Sequence, residues 1–348
     1  MGRDASVAQG RPFAIVGLVS LISSAWLAFG CASPVAPAPG GMGAVAMQPC
    51  PTSGPGAVTA AATCWVFPPT SAGASPLGQN ANRLNYALEP PGTARGTLVV
   101  LLNGSGSSPS ELTIDPSRNL FMSALESGNH VLAVAYRSDV AILRMCDSSR
   151  PDCYGASRST LLTGVFAPGA DNSLADIRAD EAIIARIDQA LRHLVAVRPQ
   201  AGWDAFIRST ATAPADRIAW PRVIASGHSQ GGGHAAYLGK LFPLIRVVQL
   251  SSTCDAPAGV PAPWTAADSV WITSPAAVFL GLSAPTVFTN GVPTAGDLNC
   301  PYHLAVWQNL GMPPSHQADD AATCGGIDPH IASIFCGANY PRWVELFR

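Results

Sequence analysis

The sequence predicts an α/β fold in which helices flank a mostly parallel central sheet. Apolar runs of strand length alternate with helix-like segments along the chain, which is typical of parallel strands joined by right-handed crossovers. Residues 97–102, with the sequence TLVVLL, are almost entirely apolar, as expected for a central strand covered on both faces. The 348 residues, 48% of them apolar, suffice for one large hydrophobic core.

The order of elements follows from periodicity and from the positions of Gly and Pro. Strands are expected at 64–67, 82–88, 97–102, 130–136, 223–226, 245–250 and 284–290. Helices are expected at 116–126, 176–197, 232–241 and 301–310. The helix at 176–197 is the clearest, because its apolar residues form one stripe and Pro199 ends it.

Two long segments are predicted to lack regular structure. Residues 137–175 are expected to form an irregular loop, and a loop of this length is usually functional. Residues 251–283 are rich in proline and contain three large aromatic residues, Trp264, Trp271 and Phe279. These aromatic residues fit a lid or a substrate wall, and equally a small satellite core.

The N-terminal segment is expected to lie outside the fold. Basic residues precede an apolar run from 13 to 29, the layout of a secretory signal peptide over residues 1–31. The run approaches the length of a membrane span, so a retained anchor is the alternative. Residues 32–49, rich in Ala, Pro and Gly, are predicted to be a tether, and a single domain would cover 50–348.

The end of the apolar run bears on localisation. Ala28-Phe29-Gly30-Cys31 resembles a bacterial lipobox, in which lipid is attached to the cysteine after cleavage. Lipid on Cys31 would tether the chain to a membrane, and a freely secreted form is the alternative. The chain is therefore expected to be exported, either secreted or as a periplasmic or outer-surface lipoprotein.

Nine cysteines are consistent with export. Eight remain without Cys31, and an even number in an exported chain indicates disulfides. Many connectivities are open, and the simplest joins neighbours in the chain: Cys50–Cys64, Cys146–Cys153, Cys254–Cys300 and Cys324–Cys336. A zinc site is the alternative, but it needs close C-x-x-C pairs, and the sequence has none.

The low charge excludes some classes of partner. Charged residues make up 12% of the chain and the formal net charge is −2. A nucleic-acid-binding protein would carry a basic patch, and a disordered chain would be poorer in apolar residues. The composition therefore favours a globular protein with no nucleic-acid partner.

The segment with the clearest chemical meaning is RVIASGHSQGGG, residues 222–233. Residues 227–231 fit G-x-S-x-G, in which the serine lies on a strained turn between a strand and a helix. The two glycines prevent side chains from colliding across the turn, and the helix N-terminus points N–H groups at an anion near Ser229. An ordinary glycine-rich turn is the alternative, but the surrounding strand and helix favour the motif.

In this setting the motif resembles the nucleophile elbow of the α/β-hydrolase superfamily, and the resemblance covers roughly residues 95–335. It implies an α/β-hydrolase fold with Ser229 as the nucleophile. It also implies an oxyanion hole built from the backbone N–H of Gln230 and one from Gly104 or Ser105. A dinucleotide loop is another interpretation of 103–108, but Pro109 replaces the third glycine. A plain surface turn also stays open.

The superfamily places the acid and then the histidine after the nucleophile in the chain. By this resemblance the acid is Asp297, in the loop after the strand expected at 284–290. The first alternative is Asp255, and Asp319, Asp320 and Asp328 also stay open. The base is His330, in a turn leading into 331–335, and the alternative is His316.

The remaining histidines near these positions have other expected roles. His228 and His234 flank the nucleophile, but the elbow should point them elsewhere. His303 is expected to pack inside the helix at 301–310. His316 with Asp319 and Asp320 could also hold a metal, although such sets of ligands are common by chance.

Together these residues predict acyl transfer at a carboxylic ester, through a Ser229–His330–Asp297 triad and without a metal or organic cofactor. The expected substrate is a small-molecule or lipid-like ester. Two alternatives stay open: a peptidase or amidase with the same triad, and an inactive surface lipoprotein that keeps the fold and binds a ligand.

Overall fold

The computed structural model describes residues 47–77, 83–113, 115–266, 277–280, 288–289, 292–293, 300, 302–311, 317–318 and 329–348. All of them belong to one compact unit, residues 44–348.

The described strands form one large sheet and one small one. In chain order they are β1 (Gln48–Pro49), β2 (Thr63–Phe67), β3 (Asn85–Glu89), β4 (Leu98–Leu102), β5 (His130–Ala133), β6 (Val223–His228), β7 (Arg246–Leu250), β8 (Ala277–Leu280), β9 (Phe288–Thr289), β10 (Val292–Pro293) and β11 (Gln317–Ala318). The large sheet has the order β1-β2-β3-β5-β4-β6-β7-β8-β11, and β9 pairs with β10 alone. Pairing is antiparallel from β1 to β5 and parallel from there to β11.

Helices cover both faces of the large sheet. The described α-helices are α1 (Leu120–Glu126), α2 (Ile142–Met145), α3 (Asp152–Thr163), α4 (Ile183–Val197), α5 (Pro214–Arg217), α6 (Gln230–Leu241), α7 (His303–Asn309), α8 (Pro329–Phe335) and α9 (Tyr340–Leu346). Alternate residues of β4 enter different cores. Leu98 and Val100 pack with residues of α3, α4, α6 and α7, whereas Val99 and Leu101 pack with residues of α1, α8 and α9. The predicted class, a mostly parallel sheet flanked by helices, is confirmed.

The segment predicted to be an irregular loop, 137–175, contains α2 and α3, so that prediction was wrong. The α3 sequence DCYGASRSTLLT includes glycine, serine and threonine, which are weak helix formers, and its apolar residues do not form one stripe. Tertiary contacts stabilise this helix instead, because Cys153, Tyr154 and Leu161 are buried in the core.

The strand that extends the sheet beyond β7 was also misplaced. It lies at 277–280, within the segment expected to be a loop, and pairs in parallel with β7. The described part of the expected strand 284–290 is β9, which belongs to the two-stranded sheet. A four-residue apolar run such as AVFL has no period of its own, so only its pairing with β7 identifies it as a strand.

Three helices begin at other residues than predicted, and a capping side chain explains the first of these differences. The helix expected from 116 begins at Leu120, since the Asn119 side chain accepts a hydrogen bond from the Met122 backbone N–H at 2.9 Å. The helix expected from 176 begins at Ile183. The helix expected from 232 begins at Gln230, directly after the candidate nucleophile.

Three of the four expected disulfides are present: Cys50–Cys64, Cys146–Cys153 and Cys254–Cys300. Cys336 is also disulfide-bonded, and Cys324, its expected partner, lies outside the described residues. The second bond joins the end of α2 to α3, and the third fixes the loop that follows β7. Both therefore stabilise segments next to the C-terminal ends of the parallel strands.

Candidate active site

Ser229 lies on a sharp turn between β6 and α6. Its backbone has φ 52° and ψ −122°, a conformation that costs energy for any residue except glycine. The turn is fixed from both sides, since the Ser229 N–H donates to the Leu250 carbonyl at 3.0 Å and its own carbonyl accepts from Gly232 and Gly233. The strain is therefore maintained by the sheet and the helix together, as the G-x-S-x-G motif predicts.

The glycines around Ser229 are required by close backbone packing. A Cβ on Gly227 would lie 2.3 Å from the Gly231 carbonyl carbon, and one on Gly231 would lie 2.2 Å from the Leu102 oxygen. A Cβ on Gly233 would lie 2.2 Å from a guanidinium nitrogen of Arg158. Gly227 and Gly231 thus let the turn form, and Gly233 leaves room for a buried arginine beneath it.

The loop after β4 lies beside Ser229. A Cβ on Gly104 would be 3.4 Å from the Ser229 Cβ. Asn103 fixes this loop, because its side-chain nitrogen donates to the carbonyls of Gly104 (2.9 Å) and Ser107 (2.8 Å). Its backbone carbonyl accepts from the buried Tyr136 hydroxyl at 2.6 Å. The loop therefore carries the Gly104 and Ser105 backbones to the place where the second oxyanion donor is expected.

The elbow, the loop beside it and the mostly parallel sheet decide the architecture. The fold is the α/β-hydrolase fold.

Ser229 and His330 line the same cavity, which has a volume of about 360 Å³. Ser105 and Gly104 also line it, together with an apolar wall that includes Leu112, Ile331, Ile334 and Phe335. In the described chain no hydrogen bond joins the Ser229 side chain to His330. Catalytic hydrogen bonds often shorten only when substrate is bound. The observation that relates Ser229 to His330 is therefore that both line the same cavity.

His228 contacts His330 directly. The His228 Nε2 lies 2.9 Å from the His330 backbone carbonyl, which can only accept, so Nε2 carries a proton. The two rings are 4.7 Å apart. His228 also lines the Ser229 cavity, so the expectation that the elbow would point it elsewhere was wrong. The end of β6 and the start of α8 meet here, which brings His228 to His330 although 102 residues separate them.

Asp255, the alternative acid, is bound by Arg158. The Arg158 Nε and Nη2 atoms donate to the two carboxylate oxygens, each at 2.6 Å, and the Trp264 Nε1 donates to one of them at 2.8 Å. Both charged side chains are at most 2% exposed. Arg158 also donates from Nη1 to the Gln230 carbonyl at 3.0 Å, so this buried pair supports the first residue of α6.

The sequence offered little sign of this ion pair. Arg158 lies in a segment expected to be a loop, 97 residues before Asp255 in the chain. Trp264, expected in a lid, a substrate wall or a satellite core, packs against the main core and its ring lies 5.5 Å from the Arg158 guanidinium. Its contacts indicate a structural role.

Several predicted residues lie outside the described part of the chain. They are Asp297, His316, Asp319, Asp320 and Asp328. His303 is described, and it packs in α7 as expected: it is buried, its ring lies 4.7 Å from that of Trp307, and its Nδ1 is 2.8 Å from the Cys300 carbonyl.

His234 lies in the core and does not line the Ser229 cavity, in agreement with the expectation that the elbow would point it elsewhere. It is fully buried and contacts Tyr136 edge to face, with ring centroids 5.5 Å apart. Its ring nitrogens make no hydrogen bond within the described chain. Burial, and then the charge of Arg158, hold the pKa of His234 well below its usual value of 6.5.

This burial predicts an acid-sensitive fold. Since the folded chain keeps His234 neutral, the unfolded chain binds the proton first, and the free energy of unfolding should fall as pH drops from about 7 to about 5. The free energy of unfolding of His234→Leu should fall less over the same pH interval, because the leucine cannot take up a proton. Urea unfolding of both proteins at the two pH values measures this. Equal losses in variant and wild type would show that His234 is not the group responsible.

Within the described chain, no helix combines the length and the apolar character needed to cross a membrane. No group of three or more potential metal-ligating side chains occurs in these residues either.

No family model matches the chain, and no curated protein matches it. Several solved structures, by contrast, match the chain. An esterase of the bacterial hormone-sensitive lipase family matches at 16% identity and TM-score 0.29, covering 57% of this chain and 46% of that one. A thermostable carboxylesterase from a metagenomic library matches at 15% identity and TM-score 0.25, covering 48% and 42%.

An S-formylglutathione hydrolase from Agrobacterium tumefaciens aligns over more of its length. It shares 12% identity at a TM-score of 0.43, and the alignment covers 87% of this chain and 99% of that one. The chain spans less than half the length of the two esterases above. A function for this chain must therefore be inferred from the residues around Ser229.

Proposed function

We propose that this chain is an exported serine hydrolase that cleaves carboxylic esters through an acyl-enzyme. One observation carries the proposal: Ser229, on a strained elbow, shares a cavity with His330 and with the Gly104–Ser105 loop. A serine hydroxyl needs a base within reach and donors for the developing oxyanion, and this cavity contains candidates for both.

The proposed reaction has two steps. In the first, the Ser229 Oγ bonds to the ester carbonyl carbon while His330 accepts the hydroxyl proton. The C–O bond to the alcohol then breaks, and the alcohol leaves with that proton. In the second step, water gives a proton to His330 and its oxygen to the acyl carbon. The bond between that carbon and the Ser229 Oγ then breaks, the acid leaves, and His330 returns the proton to the Ser229 Oγ.

The third member of the proposed triad is Asp297, which would hold His330 in the correct tautomer and stabilise the imidazolium. The geometry of Asp255 supports this choice. Both of its oxygens accept hydrogen bonds from Arg158, so an imidazole would have to compete with a charged donor for them.

The proposed oxyanion hole combines the Gln230 backbone N–H with that of Gly104 or Ser105. Gln230 is the first residue of α6, where backbone N–H groups have no partner inside the helix. Each such donor contributes about 3 kcal/mol to transition-state stabilisation. Asn103 fixes the loop that carries Gly104 and Ser105, and Gln230 is held at the start of α6. Both N–H donors would therefore be in position before the reaction begins.

Export is part of the proposal and is supported by the disulfides. Three bonds in one domain are typical of an oxidising compartment. The basic and apolar N-terminus would direct the chain there, and lipid on Cys31 would retain it at a membrane surface.

Labelling by a fluorophosphonate probe tests the proposal. The wild-type protein should be labelled at Ser229, located by mass spectrometry of the peptide, and should hydrolyse p-nitrophenyl acetate. Ser229→Ala should abolish both signals. Ser107→Ala is the matched control, because Ser107 lines the same cavity and labelling should persist in that variant.

Other results would select the alternatives. A folded wild-type protein that is not labelled and cleaves no ester would contradict the proposal and favour a binding protein. Labelling at Ser229 with faster cleavage of amide than of matched ester substrates would instead favour a peptidase or amidase.

A further inference from the structure

Two cavities of very different size meet at Ser229. The wide cavity described above has a volume of about 360 Å³ and contains His330. A narrow cavity of about 20 Å³ is also lined by Ser229, together with Gln230 and Ile142, which do not line the wide one. Ser105, Ala141, Leu143 and Ser229 line both. A volume of this order holds about one water-sized or methyl-sized group, so a substrate that spans Ser229 meets two unlike spaces.

The walls of the narrow cavity are fixed. Ile142, at the start of α2, is 2% exposed, and its backbone N–H donates to the Gln230 side-chain oxygen at 3.0 Å. The next turn of chain is bound by the Cys146–Cys153 disulfide, and the Tyr154 hydroxyl donates to the Cys146 carbonyl at 3.1 Å. The helix therefore cannot withdraw from Ser229 without breaking these interactions.

The opposite wall is equally constrained. It consists of Arg158, Asp255 and Cys254. The first two form the buried ion pair with hydrogen bonds of 2.6 Å, and Cys254 is bonded to Cys300. Buried ion pairs and disulfides resist the side-chain rearrangement that would be needed to admit a longer group.

The position of His330 assigns each part of the ester to a cavity. The histidine must return its proton to the leaving alcohol, so the alcohol must lie on the His330 side. His330 and His228 line the wide cavity and not the narrow one. The acyl substituent then points the other way, toward Gln230 and Ile142.

We infer that the substrates are esters of a short acid, such as acetate, with a bulky alcohol. This rests on the proposed function, since it takes His330 as the proton donor to the leaving group. In the wide cavity the alcohol would meet the apolar residues Leu112, Ile331, Ile334 and Phe335 and the charged residues Glu111 and Arg144. The side chain of Ile142 would set the upper limit on acyl length.

Two substrate series measure the asymmetry with the full-length protein. In p-nitrophenyl esters from acetyl to octanoyl, we expect kcat/KM to fall at least about 100-fold between acetyl and hexanoyl, because one methylene in a tight pocket can be worth about tenfold. In a second pair with similar leaving groups, 2-naphthyl acetate should be cleaved at least as well as phenyl acetate.

Substitutions on the two sides should have different effects. Ile142→Ala should open the narrow cavity and reduce the acetyl-to-hexanoyl ratio at least about tenfold. Ile331→Ala, a matched change in the wide cavity, should alter KM for 2-naphthyl acetate without changing that ratio. If thermal melting shows that Ile142→Ala is unfolded, Ile142→Val should give a smaller shift in the same direction.

The outcomes separate this inference from the proposed function. Equal cleavage of acetyl and octanoyl esters by a protein labelled at Ser229 would overturn the inference and leave the hydrolase intact. An unchanged chain-length profile in a folded Ile142 variant would do the same. A protein that is neither labelled nor active on any ester would instead refute the proposed function, and the inference with it.

Discussion

Replacing His330 with alanine is expected to cost about as much activity as replacing Ser229, about 10⁶-fold in kcat, and the double variant should lose no more. The reason is that a nucleophile without its base, or a base without its nucleophile, leaves the same residual catalysis from binding and oxyanion stabilisation. Stopped assays with p-nitrophenyl acetate at high enzyme concentration measure all three variants against wild type.

The strict non-additivity is the informative part of this prediction. His330 is the second residue of α8, and its backbone carbonyl contacts His228, so a merely structural role would reduce stability and add to the Ser229 effect. His316→Ala is the control, because His316 is the alternative base. A loss of about 10⁶-fold in His316→Ala, with His330→Ala near wild type, would transfer the role to His316.

The second large effect is on stability, at the buried ion pair beneath the elbow. Arg158→Met is expected to lower the free energy of unfolding by about 3–5 kcal/mol, because it leaves the Asp255 carboxylate buried without its charged partner. The substitution also removes the hydrogen bond to the Gln230 carbonyl. Urea unfolding with the disulfides intact measures the change.

A double variant gives the control for this prediction. Arg158→Met with Asp255→Leu removes both charges and fills similar volume, so it should recover most of the lost stability. If the free energy of unfolding of the single Arg158→Met variant lies within about 1 kcal/mol of the wild-type value, that result would contradict a structural role for the pair. Recovery of stability without recovery of kcat would show that the pair also serves the reaction, either through the Gln230 hydrogen bond or through Asp255 as the alternative acid.

The sequence predicted the fold class because the class depends on local pattern. The continuous apolar segment at 98–102 forms β4, which lies near the centre of the sheet. The amphipathic segment at 183–197 forms α4. The elbow is also encoded by neighbouring residues, because residues 227–231 specify a turn that can form only with glycine at 227 and 231. Three disulfides followed from the simplest pairing, in which each cysteine bonds to its neighbour along the chain. The separations of 7 and 14 residues are short enough for local chain to bring two of the pairs together, whereas the 46 residues between Cys254 and Cys300 require the fold to do so.

Local pattern failed where tertiary contacts decide the structure. Helix α3 has weak intrinsic propensity and exists because its buried residues pack in the core. Strand β8 has four residues and is identified by its pairing with β7. In both cases the free energy comes from partners distant in sequence, which periodicity does not record.

For the site, the sequence by itself determined the candidate nucleophile, the glycines and the loop at 103–105. The tertiary structure alone decided that His228 contacts His330, that Asp255 is bound by Arg158, and that α2 narrows one side of Ser229. The physical reason is the same in each case. Backbone strain at a turn is encoded by adjacent residues, whereas ion pairs and cavity walls form between segments that only the folded sheet brings together.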